Sequence, residues 1–330
     1  MKKALAIIGA GSWGTALAYF FGSKGYIVYL WCYEKEVADS IKNNQINLLF
    51  LSHIQLPRTV HASTDIQYIL SCSVDFVIEA IPVTYLRPTL ASVDTAKALS
   101  FCWILTSKGL EQETGYHALQ VMEHLFGKEI KAIVLAGPSF ALELIQGMPT
   151  SCVAATSQTD MYELFAAYWQ DTHTKLYYTN DMNGVLFCGA LKNIVALLLG
   201  LLEGAGYGKN TQSFFLTVAY KEIKQVVSIF GGQEATVEGL AGFGDLFLTA
   251  SSNISKNRTY GYLIGQKKKV NEIHKQIPVP PEGVSTAAGF NILCRLFSDI
   301  APGYFPLLCS VHNIIKGKSS IKKLVDSYFA

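Results

Sequence analysis

Apolar runs of four or five residues alternate with amphipathic stretches through the first half of the chain, and beyond Gly184 the short runs stop. Ala4–Ile8, Ile27–Trp31, Phe76–Ala80, Trp103–Thr106, Ala132–Leu135 and Ser151–Ala155 read as strands. Ser12–Lys24, Glu34–Asn43, His117–Phe126 and Asp160–Trp169 lie between them with helical spacing. Alternation of this kind predicts a parallel sheet covered by helices on both faces, with right-handed crossovers. After Gly184 the pattern is long helical runs, clearest in Val185–Leu202, Gln212–Ile229 and Thr286–Phe297. The expected architecture is α/β, with a doubly wound domain over residues 1–181 and an all-helical domain over residues 182–330.

Val185–Leu202 is long enough to raise a membrane reading, but Lys192 and Asn193 lie near its middle. A lysine at mid-bilayer costs about 2.5–3.5 kcal/mol even on the lenient insertion scale. The run is better read as a helix buried in a protein core, with no integral membrane segment expected. Met1-Lys2-Lys3 and the following apolar residues resemble the start of a secretory signal. The apolar stretch ends at Ile8 in a glycine-rich turn, which argues against that reading.

Composition adds little that is positive and excludes several classes. Half of the 330 residues are hydrophobic and 16% are charged, so a large core is possible and long disordered tails are not expected. A net charge of +2 with dispersed basic residues gives no reason to expect nucleic-acid binding. Lys267-Lys268-Lys269 reads as a solvated loop or helix end. The seven cysteines are scattered without a Cys-x-x-Cys pair, so neither a metal site nor a disulfide framework is expected. They read as buried free thiols in a reducing cytosol.

The chemistry begins at Gly9-Ala10-Gly11-Ser12-Trp13-Gly14, directly after the first strand and opening an apolar helix. In that context Gly9 permits a tight turn, Gly11 lets the backbone approach a pyrophosphate, and Gly14 lets the helix pack closely on the strand. The phosphates then face the free N–H groups and positive end of the helix. This makes the first domain Rossmann-type. The second strand ends in Tyr33-Glu34-Lys35, with no arginine to receive a 2′-phosphate. Glu34 there favours NAD over NADP, unless it serves only the charge balance of its helix.

Five further polar clusters interrupt apolar surroundings, and each has two readings. Lys108 follows a buried strand, where ligands bind in such sheets, or is an ordinary surface lysine. Ser139, after Gly137-Pro138, caps the next helix, lines a site, or does both. Lys192-Asn193 sits inside the most apolar helix. Burial would lower the pKa of Lys192 and make it a proton acceptor, unless the side chain snorkels out to water. Asp245, in Gly244-Asp245-Leu246, holds Lys192 in position or closes a local turn. Ser255-Lys256-Asn257-Arg258 opens a helix as a phosphate site or as a solvated cap.

Taken together and in order, these segments resemble the NAD(P)-dependent glycerol-3-phosphate dehydrogenase family. The shared elements are Gly9–Gly14 with Thr15-Ala16-Leu17-Ala18, Lys108-Gly109-Leu110-Glu111 and Gly137-Pro138-Ser139-Phe140-Ala141. They continue with Leu191-Lys192-Asn193, Gly244-Asp245-Leu246, Asn257-Arg258 and Glu282-Gly283. The resemblance implies reversible reduction of dihydroxyacetone phosphate to sn-glycerol 3-phosphate, supplying glycerophospholipid synthesis. Lys192 matches the general acid/base, Lys108 a lysine that stabilises the developing oxyanion, and Asp245, with Asn193 and Thr249, the groups that orient Lys192. Ser255, Lys256 and Asn257 match the substrate-phosphate site, with Gly137 and Ser139 beside it. Ser12, Trp13, Tyr33, Lys108, Ala141, Lys256, Pro280 and Glu282 match cofactor contacts, alongside Gly9, Gly11 and Gly14. A cytoplasmic homodimer using NAD, or NADP, is implied as well.

Three positions depart from the family pattern. Lys256 replaces a usual arginine, which keeps the charge and loses the bidentate fork. Arg258 could substitute for it only if the helix start shifted. Lys209 stands where an acidic residue is usual, and Thr217-Val218-Ala219 where the family carries Arg-Gly. A related two-domain hydroxy-acid dehydrogenase would also place a lysine beyond the nucleotide domain, but would not need Ser255–Arg258. A cofactor-binding sensor without turnover would have no use for Lys108, Lys192 and Asp245 together.

Overall fold

A computed structural model describes residues 3–170, 173–252, 254–297 and 304–330. The chain forms two compact units, Met1–Ser107 with Leu119–Met182, and Lys108–Ala118 with Asn183–Ala330.

In the first unit the chain runs β1 (Ala4–Ile8), α1 (Ser12–Ser23), β2 (Ile27–Trp31), α2 (Lys35–Asn44), β3 (Ile46–Asn47), β4 (Leu51–Gln55), β5 (Val60–Ser63) and α3 (Ile66–Ser71). It continues through β6 (Phe76–Glu79), α4 (Val83–Leu90), α5 (Thr95–Leu99), β7 (Cys102–Leu105), α6 (Ala118–Phe126), β8 (Lys131–Ala136), α7 (Ala141–Ile145), β9 (Thr150–Ala155), α8 (Thr159–Trp169) and β10 (Thr174–Thr179). One sheet has the order β10-β9-β8-β7-β6-β1-β2-β5, and β3 pairs with β4 as a separate hairpin. β1 lies between β2 and β6, so the strand order reverses there, and ligands bind at such a switch point. Phe20, Phe21, Phe165 and Trp169 pack edge-on and tilted against one another beneath the sheet.

The sheet is not wholly parallel. β9 runs antiparallel to β8, with Val134 opposite Ala155 and Ala136 opposite Val153. A parallel return needs a crossover that runs back along the sheet. Between the two strands the chain forms the five-residue α7, about 7.5 Å long. β5 and β10 escape the sequence reading because each is an edge strand whose polar residues break up any apolar run.

The second unit contains α9 (Met182–Gly204), α10 (Lys209–Ile229), α11 (Glu234–Glu238), a π-helical turn at Leu240–Gly244, α12 (Asp245–Ser251), α13 (Lys256–Gly265), α14 (Val270–Gln276), α15 (Glu282–Leu296), α16 (Pro306–Ile315) and α17 (Ile321–Phe329). Among the described residues it has no strand, in accord with the helical expectation. α9 is long and apolar enough to cross a bilayer, but that apolar stretch is wholly buried inside the protein. A helix apolar all round belongs in a core.

α9 and α13 meet backbone to backbone. A Cβ at Gly200 would lie 2.0 Å from the Arg258 carbonyl oxygen, and one at Gly261 would lie 2.1 Å from that of Leu197. Gly204 and Gly265 are equally tight against Tyr262 and Leu201. This contact lays α13 along the C-terminal third of α9, and a hydrogen bond from Asn257 to Asn193 joins its start to the middle of α9.

A single cut at residue 181 does not describe the chain, because Lys108–Ala118 belongs to the helical unit. The Leu110 N–H points at the Thr286 hydroxyl, 3.4 Å away on α15. A Cβ at Gly289 would lie 2.4 Å from the Glu111 carbonyl oxygen. Contacts distant in sequence hold the segment there, and local pattern does not carry them.

Candidate active site

The glycine turn is built so that its outer edge stays open. Gly9 has φ +121°, and a Cβ on it would lie 2.5 Å from the Ala80 carbonyl oxygen. A Cβ on Gly14 would lie 1.9 Å from the oxygen of Gly9. These two glycines are required by the fold itself. Gly11 is not, since a Cβ there would meet nothing within 4 Å and its backbone is extended. Gly11 is also the N-cap of α1 and makes no side-chain cap bond. The first N–H groups of the helix and a cradle that a side chain would fill therefore face outward together, which fits the pyrophosphate of a dinucleotide.

At the tip of β2, Tyr33 is 80% exposed and Glu34 is the N-cap of α2 without a side-chain cap bond. Lys35 forms an ion pair with Asp39 one turn along α2. Ser139 does not cap the following helix. α7 begins at Ala141 with Phe140 as its N-cap, one residue too late, and the Ser139 hydroxyl donates back to the Gly137 carbonyl at 3.1 Å. α7, which begins with Ala141, packs on α1.

In the second unit one carboxylate gathers two lysines. The π-helical turn places Asp245 at the start of α12. Lys192, on α9, donates to Asp245 Oδ1 and, at 2.9 Å, to the Thr249 hydroxyl. Thr249 in turn donates to the Asp245 carbonyl at 2.8 Å, which aims its lone pair at Lys192. Lys108 donates to Asp245 Oδ2 at 2.8 Å. Lys192 is 7% exposed and Asp245 1% exposed, so neither the snorkelling lysine nor the simple turn aspartate describes them. Burial pushes the Lys192 ammonium down to about 8, with Lys108 adding repulsion and Asp245 opposing both. Burial works against the charge of Asp245, but Lys108 and Lys192 outweigh it and hold the carboxyl below its usual range. Burial and the neighbouring Lys108 cation thus favour the neutral amine of Lys192, and Asp245 opposes them.

A chain of amides braces the cluster. Asn193 Nδ2 donates to the Lys108 carbonyl at 2.7 Å, Asn257 Nδ2 donates to Asn193 Oδ1 at 2.9 Å, and the Gly283 N–H donates to Asn257 Oδ1 at 2.9 Å. The start of α15, where Glu282 follows the exposed Pro280 and the buried Pro281, is tied to Lys108 in this way. Ser255 is the N-cap of α13, its hydroxyl oxygen accepting from the Arg258 N–H at 3.3 Å. Lys256 is exposed at the first position of that helix. Arg258 does not substitute for it, because its guanidinium is turned to Glu203. Lys209 begins α10 and donates to Gln212 at 3.0 Å.

Two polar residues at the first unit's switch point were not anticipated. Glu79, fully buried at the end of β6, accepts from the Ile81 N–H at 2.9 Å and the Ser107 hydroxyl at 2.9 Å, joining the ends of β6 and β7. Asn47, also fully buried, donates to the Ala10 carbonyl and to the Thr15 hydroxyl oxygen, both at 2.8 Å. Each is a polar residue inside an apolar run, the signal that singled out Lys192.

The family model described as the N-terminus of NAD-dependent glycerol-3-phosphate dehydrogenase matches residues 4–162, and that of its C-terminus matches residues 181–326. The curated glycerol-3-phosphate dehydrogenase (NAD(P)+) of Syntrophomonas wolfei is 35% identical over 325 residues, 98% of this chain and 93% of its own. That of Maridesulfovibrio salexigens is 36% identical over 296 residues, 88% of each chain. A crystal structure of glycerol-3-phosphate dehydrogenase from Coxiella burnetii superposes with a TM-score of 0.90 at 29% identity, covering 99% of both chains. The chain belongs to the NAD-dependent glycerol-3-phosphate dehydrogenase family.

Proposed function

We propose that this protein is an NAD(P)-dependent sn-glycerol-3-phosphate dehydrogenase that interconverts dihydroxyacetone phosphate and sn-glycerol 3-phosphate. The observation that carries the reading is the buried Lys192, held with Lys108 on one carboxylate. Gly9, Gly11, Ser12, Trp13 and Gly14 receive the dinucleotide pyrophosphate, with Tyr33 and Ala141 as further contacts. When bound, the nicotinamide supplies or accepts the hydride. In the oxidation direction neutral Lys192 takes the C2 hydroxyl proton onto Nζ; in reduction the ammonium returns it. The Lys108 ammonium stabilises negative charge on the same oxygen. Asp245, Thr249 and Asn193 orient the two lysines.

The substrate phosphate is assigned to the start of α13, a helix of ten residues with the exposed Lys256 at its mouth. Ser255 keeps its hydroxyl proton for that anion and Asn257 the second hydrogen of its Nδ2. Gly137 and Ser139 belong to the same assignment, and Lys108, Lys256, Pro280 and Glu282 to the cofactor contacts. Glu34 and the pairing of Lys35 with Asp39 support NAD as the preferred cofactor. Homodimeric assembly, a cytoplasmic location and supply of glycerophospholipid synthesis complete the proposal.

The test is oxidation of NADH and NADPH by purified protein with dihydroxyacetone phosphate, followed at the nicotinamide absorbance. Absence of turnover with both cofactors sinks the reading. Turnover with a 2- or 3-oxo acid in place of dihydroxyacetone phosphate identifies a hydroxy-acid dehydrogenase.

A further inference from the structure

We infer that Asn47 is a positioning residue for the cofactor, clamping the Ala10 carbonyl so that the glycine turn presents N–H groups and not a carbonyl oxygen to the pyrophosphate. The inference rests on the proposed role of that turn. Ala10 stands between the two glycines that make the turn. Its carbonyl oxygen, with a partial negative charge, would repel a phosphate if the peptide unit rotated outward. Two donors hold it inward, Asn47 Nδ2 at 2.8 Å and the Thr15 hydroxyl at 3.0 Å.

The geometry leaves Asn47 little freedom to do anything else. Its amide nitrogen divides its hydrogens between the Ala10 carbonyl and the Thr15 hydroxyl oxygen, and its Oδ1 accepts from the Phe50 N–H at 3.1 Å. Asn47 and Thr15 are both fully buried, so no water competes for these bonds. Thr15 sits in the first turn of α1, and its N–H donates to the Gly11 carbonyl at 2.9 Å. Asn47, Thr15 and Ala10 thus form one closed set of bonds at the residue before Gly11. Asn47 is carried on the β3–β4 hairpin outside the main sheet, and the Ser40 hydroxyl anchors that hairpin by donating to the Ile46 carbonyl at 2.8 Å.

The hairpin role and the clamp role separate by substitution. Asn47→Asp keeps the acceptor for Phe50 and replaces both donors with oxygen, and Asn47→Ala removes everything. Ser40→Ala loosens the hairpin without touching the turn. Kd for NADH is measured by fluorescence titration of each folded variant, beside kcat at saturating NADH and KM for dihydroxyacetone phosphate. Both Asn47 variants are expected to raise Kd for NADH about five- to tenfold, the scale of a buried acceptor that loses one of its two donors. Their kcat and KM for dihydroxyacetone phosphate should stay within about threefold of the unmodified protein, the scale of a negligible change. Ser40→Ala should leave Kd unchanged. If Asn47→Asp folds and binds NADH within threefold of normal, the clamp is wrong; if Ser40→Ala weakens NADH as much as Asn47→Ala, the effect belongs to the hairpin and the clamp is wrong again. Gly11→Glu fills the cradle and tests the turn itself. Normal NADH binding by Gly11→Glu overturns the assignment of the turn, whereas its loss together with normal binding by Asn47→Asp overturns the clamp alone.

Discussion

The ammonium of Lys192 donates to one oxygen of Asp245 and leaves the other oxygen of that carboxylate for Lys108. With a single anion between two cations, the more deeply buried lysine gives up its proton more readily than a free lysine does.

That arrangement fixes a pH dependence. Lys192 is held down to about 8. Oxidation of glycerol 3-phosphate needs the neutral amine, so its kcat/KM should rise with pH and level off above that value. Reduction of dihydroxyacetone phosphate needs the ammonium, so its kcat/KM should fall over the same range. Lys192→Ala should lower kcat about a hundred- to ten-thousandfold, the span of a lost general acid/base, and leave NADH binding nearly unchanged. Parallel pH profiles in both directions, or a variant with near-normal kcat, would remove Lys192 from that role.

The exposed Lys256 gives a second prediction. Arg258 is committed to Glu203, so a bidentate fork at the mouth of α13 has to come from residue 256. Lys256→Arg should lower KM for dihydroxyacetone phosphate or leave it unchanged, with kcat unaffected. A rise of about tenfold, or roughly 1.4 kcal/mol, would mean that the phosphate is held in a different way.

The crossing of α9 and α13 leaves no room for a methyl group at Gly261, whose Cβ would lie 2.1 Å from a backbone oxygen. Gly261→Ala should force the helices apart and destabilise the fold by about 1–3 kcal/mol, seen as a lower urea midpoint. KM for dihydroxyacetone phosphate should rise with it, because the start of α13 moves away from Asn193. An unchanged midpoint would show that the helices slide past the clash.

Stability against pH should carry two opposed contributions from the helical unit. Burial drives the His117 imidazole down to about 4, so its contribution is fully present above pH 6.5 and is lost as pH falls towards 4. Burial drives the Glu222 carboxyl up to about 7, against the N–H groups of Leu307 and Leu308 that it accepts, so its contribution is full below pH 4.5 and is lost as pH rises through 7. His117→Gln should flatten the acid side of a Tm–pH curve and Glu222→Gln the neutral side. Variants that share the slope of the unmodified protein would place the titration elsewhere.

Much of this was legible in the sequence because it is local. The strand, the glycines and the apolar start of α1 lie within a few residues of one another. Lys192 stood out because a charge inside an apolar run is costly, and that cost is visible without knowing the partner. The same reasoning applied to Asn47 and Glu79 would have found both, but one lies in a two-residue strand and the other at the end of a strand assigned on its apolar residues alone. The reversal of β9 was not legible, since direction depends on how far a connection must travel and not on which residues the strand contains. The commitment of Arg258 to Glu203 was equally hidden, because the two are 55 positions apart.

The attachment of Lys108–Ala118 to the helical unit has a consequence for how this protein can be rearranged. The segment is encoded in the middle of the nucleotide-binding half, yet it packs with the half that follows. A chimera joined near residue 181 would import a foreign Lys108–Ala118 into the native helices, where the Asn193 amide, the Thr286 hydroxyl and the contact at Gly289 would have to accept it. The two halves are therefore not interchangeable cassettes. Recombinants that also exchange residues 108–118 with their own helical partner should retain activity where single-crossover recombinants lose it.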